Sequence, residues 1–326
     1  MPWWSRRSQR SEPGFRVYFA TDIHGSDRCF RKFIAAARAY EADALILGGD
    51  IAGKAIVPLT RMPTGKVEFA YHGARQVVDE TEAEQVRENI AGTGLYPRYC
   101  TPEETDRLGS DLSFREEIFD AVISEQVAGW CRLAAQRLPS HVPCVITPGN
   151  DDPLAIDPVL EAAERIMCPE REVVALGPIQ LASLGNTNRT PWDTPREFEE
   201  AELAVQIDAI LDGADAEASL VLNFHCPPHD SGLDTAAKLD AELRPVVVSG
   251  AAMQIPVGST AVREAIVQYR PTVGLHGHIH ESAGVWRCGP STCLNPGSEY
   301  GSGVLKGALV QFDVDGRYRT HLLTTG

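Results

Sequence analysis

The stretch FRVYFATDIH, residues 15–24, opens with a short β-rich run and ends in an aspartate and a histidine. A helical repeat of apolar residues follows over residues 26–40, and a second apolar run over 44–47 leads into GGD at 48–50. Strand, helix and strand at this spacing predict a βαβ unit, in which the two strands are parallel. The segment therefore predicts an α/β fold.

Three more apolar runs end in the same way, with a polar side chain of the kind that binds metals. They lie at 142–146, 219–224 and 272–275, and each is expected to be a strand. In open α/β sheets, ligands bind beyond the carboxyl ends of the strands. We therefore expect the side chains at these five strand ends to meet: Asp22, His24, Asp50, Asn150, His225, His278 and His280.

The residue types in this set indicate which metals would bind. Two aspartates, one asparagine carbonyl and four imidazoles form a mixed nitrogen and oxygen set, which suits Mn²⁺, Fe²⁺ or Zn²⁺. The set contains no thiolate to select a soft metal, and it is too rich in imidazole for Mg²⁺ or Ca²⁺.

In chain order the blocks are D-x-H, G-D, G-N, H and G-H-x-H, and this order resembles the calcineurin-like metallophosphoesterase family over residues 22–280. The resemblance implies a four-layer αββα sandwich, with two facing mixed β-sheets and a dinuclear metal site at the strand ends. It further implies that Asp22, His24 and His280 hold one metal, that Asn150, His225 and His278 hold the second, and that Asp50 bridges them.

The resemblance also implies an activity, the hydrolysis of a phosphodiester by in-line attack of a hydroxide shared by the two metals. A cyclic nucleotide or nucleotide-like ester is the expected substrate class. The alternatives are a phosphomonoesterase and a catalytically weak, metal-bound regulatory or binding module. The last is disfavoured because an inactive site has no reason to keep a bridging Asp50.

The chain departs from the family at one position, where Asp151 replaces the histidine that usually follows the asparagine. A carboxylate repels a phosphate dianion unless it is protonated or paired. Asp151 is therefore either a general acid with a raised pKa or not a proton donor, and an Asx-turn or helix N-cap before Pro153 is the preferred interpretation. His229 is a candidate replacement, although an exposed loop histidine is the preferred interpretation.

Other polar groups are candidates for substrate contacts. Lys54 follows Asp50 closely, and the stretch at 186–192 offers an amide, a guanidinium and an indole, namely Asn186, Arg189 and Trp192. Each has a plainer alternative: a solvated lysine, a loop, and a tryptophan packed in the core. His276 precedes the last ligand pair and is expected to be a buried structural histidine.

The net charge of the chain indicates which class of substrate or binding partner to expect. The 326 residues carry a net charge of −15. An acidic surface repels phosphate backbones, and affinity for long nucleic acids comes mostly from Lys and Arg. A DNA exonuclease of the same superfamily is therefore disfavoured, and a small phosphate ester is the expected partner.

The remaining features concern compartment and domain organisation. None of the eight cysteines forms a C-x-x-C pair, and no apolar run reaches the length of a signal peptide core or a membrane span. A cytoplasmic protein with reduced cysteines is expected. Residues 1–14 are expected to be a loose leader before a single domain over 15–326. Residues 54–138 are expected to be a partly helical insertion, either a cap beside the site or a surface elaboration.

Overall fold

The computed structural model describes residues 14–326. The expected leader, with Trp3 and Trp4, lies outside the described residues except for Gly14. The α-helices are α1 (Asp27–Ala39), α2 (Glu80–Ala91), α3 (Pro102–Ser110), α4 (Leu112–Arg137), α5 (Asp157–Glu161), α6 (Glu200–Leu211) and α7 (Thr260–Tyr269). Short 3₁₀ turns lie at Leu154–Ile156 and Tyr300–Ser302.

The strands are β1 (Phe15–Ala20), β2 (Ala44–Gly48), β3 (Ile56–Arg61), β4 (Lys66–Tyr71), β5 (Ala74–Asp79), β6 (Tyr96–Cys100), β7 (Cys144–Thr147), β8 (Val173–Leu176), β9 (Ile179–Leu184), β10 (Thr187–Asn188), β11 (Glu197–Phe198), β12 (Ser219–Phe224), β13 (Thr235–Ala237), β14 (Val247–Val248), β15 (Ala251–Ala252), β16 (Gln254–Pro256), β17 (Val273–Leu275), β18 (Gly284–Cys288), β19 (Ser291–Asn295), β20 (Lys306–Phe312) and β21 (Tyr318–Thr325).

Two mixed sheets form the centre of the fold. The first has the order β21-β20-β1-β2-β7, with β1, β2 and β7 parallel, β20 antiparallel to β1, and β21 antiparallel to β20. The second has the order β18-β19-β17-β12-β9-β8, with parallel strands in the middle and an antiparallel strand at each edge. The five strands expected to end in ligands are neighbours within the two sheets, with β1, β2 and β7 adjacent in the first and β12 beside β17 in the second.

The sheets face each other, and helices cover their outer faces. The residues of β1 show this arrangement, because successive side chains of a strand point to opposite faces of its sheet. Phe19 packs between the sheets, against residues such as Val221 of the second sheet. Tyr18 points outward into a layer formed with α1, α4 and α5, and α6 and α7 cover the outer face of the second sheet. This arrangement confirms the expected αββα sandwich.

The five strands and the helix expected from the sequence are present as β1, α1, β2, β7, β12 and β17. Ser26 caps α1 by accepting from the amide of Cys29, and Ser259 caps α7 by accepting from Val262. Helix α6 begins at Glu200, because residues 197 and 198 pair with β10 as the short strand β11.

Residues 54–138, expected to be a partly helical insertion, contain strands as well as helices. The segment contains a four-stranded sheet of order β5-β4-β3-β6, with α2 packed on it around a small core that includes Leu59 and Phe69. Two features concealed this order. Pro58 and Pro97 interrupt strands, where proline is rare, and the charged helix α2 buries only Ala83 and Ile90.

All eight cysteines are free thiols, and six of them are buried. Within residues 14–326, none of the helices combines the length and the apolar character that crossing a bilayer requires.

Candidate metal centre

Six of the seven predicted ligands come together beyond the strand ends. They form two groups of three residues, in which each residue offers one ligand atom and these atoms lie within 4.8 Å of one another: Asp22, His24 and His280, and Asp50, His225 and His278. The loop after β1 is fixed to the loop after β2, because the amide of Asp22 donates to the carbonyl of Gly49, and that of His24 to Asp50. The parallel pairing of β1 and β2 thus brings two distant segments to one place.

The first group is centred on Asp22. Its Oδ1 lies 3.3 Å from Nε2 of His280 and 4.0 Å from Nε2 of His24, and the two imidazole Nε2 atoms are 3.1 Å apart. The hydroxyl of Thr21 and the backbone amide of His278 donate to the same carboxylate, so its position is fixed. Three potential ligand atoms therefore converge on one point.

The second group is centred on Asp50. Its Oδ1 lies 3.4 Å from Nε2 of His225, and its Oδ2 lies 3.7 Å from Nε2 of His24 in the first group. Nδ1 of His225 is 2.9 Å from the carbonyl oxygen of Gly48 and donates to it, so in the neutral imidazole Nε2 is the acceptor and faces the cluster. Asp50 thus reaches both groups, as a bridging carboxylate must.

Asn150 is the seventh predicted ligand. Its Nδ2 donates to the hydroxyl of Thr194 at 2.8 Å, which orients the amide. Its Oδ1 is buried without a hydrogen-bond partner, as is Nε2 of His225. Such atoms are costly unless something binds them, and a cation is a partner that either acceptor can bind.

The charges at the centre also require a counter-charge. Asp22 and Asp50 are 1% and 4% exposed, and their ion-pair contacts are with histidines. Burial disfavours the imidazolium of His225, but the carboxylates of Asp50 and Asp22 outweigh burial and raise its pKa to about 10. Burial lowers the pKa of His24 to about 3, so that imidazole is neutral, as a metal ligand must be. Divalent cations would neutralise the carboxylates of Asp22 and Asp50 in place of the proton on His225, so the residues fit divalent metals.

The backbone at the centre is strained. Asp22, His24, Asp50 and His278 have positive φ values of 52°, 39°, 49° and 67°, a region that non-glycine residues rarely occupy. Such strain persists only where the surrounding structure fixes it, and it clusters at functional sites. Four of the seven predicted ligands share this feature.

The glycines before the ligands are required by packing. Gly49 has φ of 101°, and a Cβ there would lie 2.3 Å from Nδ1 of His225. A Cβ at Gly149 would lie 2.3 Å from both the amide nitrogen and Oδ1 of Asp50. The carboxylate of Asp50 therefore lies directly against the backbone at Gly149, where a side chain would not fit.

Asp152 holds this part of the site together, a role that the sequence did not indicate. Its fully buried carboxylate accepts from the amides of Ala52, Gly149 and Ile51 at 2.7, 2.8 and 3.0 Å. It therefore ties the loop after Asp50 to the loop after β7. One signal in the sequence could have pointed to this role. A second aspartate follows Gly149-Asn150-Asp151, and the ligand pattern gives it no function.

Asp151 lies at the mouth of the centre and does not cap a helix. Its amide donates to Oδ1 of Asp50 at 3.0 Å, and its Oδ2 lies 2.9 Å from Nζ of Lys54 and 3.9 Å from Nδ1 of His24. Burial and Asp50 raise the pKa of Asp151, while Lys54 opposes the shift. The preferred Asx-turn or N-cap interpretation was wrong, because the carboxylate faces Lys54 and the cluster.

The remaining predicted residues have contacts away from the cluster. Nδ1 of His229 faces the carbonyl of Gly258 at 3.3 Å, and Nδ1 of His276 donates to the carbonyls of Phe224 and Cys226 as a buried structural histidine. Asn186 donates to Gln206, and Arg189 pairs with Asp193 and Glu199. Trp192 is 61% exposed and therefore does not pack in the core. The substrate contacts of these residues stay predictions.

Tyr300 is a neighbour of the centre that the sequence did not suggest. Its ring centroid lies 4.6 Å from that of His24 and 5.8 Å from that of His280. Burial raises the pKa of its hydroxyl. Tyr300 lies in the 3₁₀ turn before β20 and outside every ligand block. The ligand motifs therefore gave no reason to predict it.

Comparison with solved structures agrees with this topology. One crystal structure aligns over 96% of this chain and 98% of its own, with a TM-score of 0.57 and 15% identity. The protein TT1561 of Thermus thermophilus aligns over the same shares with a TM-score of 0.52 and 14% identity. At such identities the likeness concerns the fold. The fold is the four-layer αββα sandwich that the resemblance to the calcineurin-like metallophosphoesterases implied.

Comparison of sequences finds weaker matches than comparison of structures does. No family model matches the chain. The chain is 24% identical over 162 residues to the uncharacterized protein MJ1162 of Methanocaldococcus jannaschii. The match covers 49% of this chain and 66% of that relative, just under two thirds of its length.

Proposed function

We propose that this protein is a metal-dependent phosphoesterase that hydrolyses a small phosphodiester. The observation that carries the proposal is the position of Asp50 between two ligand groups, with Oδ1 3.4 Å from Nε2 of His225 and Oδ2 3.7 Å from Nε2 of His24. A carboxylate placed in this way can bridge two cations. Asp22, His24 and His280 would hold one, and Asn150, His225 and His278 would hold the other.

Two bound divalent cations would neutralise the phosphate and lower the pKa of water enough to make a nucleophile at neutral pH. The chain itself fixes the geometry. Asp152 holds the two loops that carry Asp50 and Asn150, and the carbonyl of Gly48 fixes the orientation of His225. Such preorganisation is what positions a reacting group, and small displacements are costly.

The preference for a diester follows the resemblance to the family and does not follow from the charge at the mouth. Asp151 carries a carboxylate 3.9 Å from His24, but Lys54 pairs with it and offsets its charge. Cyclic nucleotides and nucleotide-like diesters are the first natural substrates to test. Mn²⁺, Fe²⁺ and Zn²⁺ are the metals proposed for the nitrogen and oxygen ligand set.

The test is hydrolysis of bis-p-nitrophenyl phosphate against p-nitrophenyl phosphate, with each of the three metals supplied in turn. Asp50→Asn keeps the shape of the side chain but removes the bridging charge, and we expect diester turnover to fall by about 100-fold or more. Asp212→Asn makes the same change at an exposed position after α6 and serves as the matched control. Metal content is measured on all three proteins.

The outcomes separate the candidate functions. Diester turnover that depends on metal and on Asp50 supports the proposal. A preference for the monoester would replace it by a phosphomonoesterase. Two bound metals without turnover of either ester would favour the metal-bound binding module, and turnover that survives Asp50→Asn would contradict the proposed centre.

A further inference from the structure

The loop that carries Lys54 connects the candidate metal centre to the insertion. Asp152 holds the start of this loop through the amides of Ile51 and Ala52. The insertion holds its middle, because the amide of Gly53 donates to the hydroxyl of Tyr96 at 2.6 Å. Lys54 follows directly, and its ammonium lies 2.9 Å from Asp151. One side chain therefore spans from the insertion to the mouth of the centre.

A cavity of about 500 Å³ has the same lysine in its wall. It lies between β3, α3 and the first turns of α4, and most of its wall is apolar. Leu112 in this wall is 58% exposed, an unusual position for a large apolar residue on the first turn of a helix. Cavities of this size are typical of small-molecule sites. The wall also includes Lys54, Ile56, Leu108, Gly109 and Phe119.

Lys54 links this cavity to the candidate centre, because it lines the cavity and also pairs with Asp151. A second cavity, of about 930 Å³, lies between α1, α2 and α4, and its wall contains neither Lys54 nor any of the seven predicted ligands. Of these two cavities, the smaller one is therefore the one that the organic part of a substrate would meet beside Lys54 when its phosphate is at the metals.

We propose that the smaller cavity binds the organic group of the phosphoester and sets the specificity of the enzyme for apolar groups of one or two rings. The proposal rests on the proposed function. Lys54 lies at the boundary, where it can contact the phosphate, while Ile56, Leu108 and Phe119 contact the ring. The insertion is then the element that selects the substrate.

The test compares two diesters with the same leaving group, bis-p-nitrophenyl phosphate and methyl p-nitrophenyl phosphate, and reports the aryl-to-methyl ratio of kcat/KM relative to wild type. Gly109→Trp fills the cavity without changing charge, and a Cβ at Gly109 meets no atom within 4 Å. Leu112→Asp makes the wall polar, and an acidic residue in the first turn of α4 is compatible with folding.

We expect the ratio to fall by about tenfold in both variants, mainly through KM, because a lost apolar contact of this size is worth that factor. Val205→Asp, at an apolar position of α6 that is 70% exposed, is the matched control and should keep the wild-type kinetics for both esters. An unchanged ratio in both cavity variants, or an equal fall in Val205→Asp, would overturn the proposal.

A second readout separates this inference from the proposed activity. If wild-type protein hydrolyses neither ester, calorimetric titration of the Mn²⁺-loaded protein with phenyl phosphate and with methyl phosphate still reports on the cavity. Tighter binding of phenyl phosphate that disappears in Gly109→Trp supports the cavity. Equal affinities of the two ligands for wild type would refute it.

Discussion

The Nε2 atoms of His24 and His280 lie 3.1 Å apart, although the two residues are 256 positions apart in the chain. Oδ1 of Asp22 lies 3.3 Å from the same atom of His280. Two neutral imidazoles can share one proton at this distance, but two imidazoles and a carboxylate that converge form a ligand set for a cation. We therefore expect this pair to bind a metal ion together with Asp22.

His280→Ala should lower the bound metal from two ions per chain to one, because it removes one of the three side chains that converge at Asp22. Elemental analysis after dialysis against excess Mn²⁺ measures the stoichiometry. His321→Ala, on β21, removes an imidazole that contacts Tyr318 and should retain both ions. Two ions in His280→Ala would show that this histidine is not a ligand.

Asp152→Asn should destabilise the fold by roughly 2–4 kcal/mol, because an amide cannot accept from all three backbone donors and leaves at least one buried N–H unpaired. Urea unfolding measures the change in the free energy of unfolding. Asp151→Asn alters the neighbouring, more exposed carboxylate and should cost about 1 kcal/mol or less. Equal losses in the two variants would mean that Asp152 does not connect the two loops.

Gly149→Ala should reduce phosphodiester turnover by about 100-fold, since the new Cβ displaces Asp50 and small displacements at a reacting centre have effects of this size. The displaced atoms include the backbone nitrogen of Asp50, which cannot move as a flexible side chain does. Gly129→Ala in α4 is the matched control, because a Cβ there would meet only the end of an arginine side chain, at 3.7 Å. Wild-type turnover in Gly149→Ala would contradict the packing argument.

Glu170 should make the protein less stable as the pH rises. Burial raises the pKa of this carboxyl from its ordinary 4.5 to about 7. The folded protein therefore holds a proton that the unfolded chain releases, and the free energy of unfolding falls as the pH rises from 4.5 to 7. The loss amounts to about 2 kcal/mol, after allowance for partial exposure.

Glu170→Gln should abolish this loss and be more stable than wild type at about pH 8, where the wild-type carboxyl is ionised. One oxygen remains to accept from the amide of Gly185, as both carboxylate oxygens do now. Thermal or urea unfolding over this pH range measures the slope, and exposed Glu172→Gln is the matched control. A slope in Glu170→Gln that equals wild type would show that this carboxyl is not the source.

The sequence predicted an α/β fold from local signals, and the resemblance of its strand-end blocks to the family implied the αββα sandwich. Apolar runs of four to six residues, helix caps such as Ser26 and Ser259, and ligand-type side chains at the strand ends are all visible within short windows. The sheet of order β5-β4-β3-β6 was harder to predict, because two of its strands contain a proline. Its small core and the pairing of strands distant in sequence outweigh that local preference.

The sequence by itself determined which residue types stand at five strand ends, and hence the resemblance to the metallophosphoesterase family and the candidate ligands. Only the tertiary structure decided how the supporting groups are arranged. Asp152 reaches backbone amides some hundred positions away, Asp151 pairs with Lys54, and Tyr300 packs on His24. These contacts depend on which loops the parallel strands bring together. That juxtaposition is a property of the assembled sheets and leaves no periodic pattern in the chain.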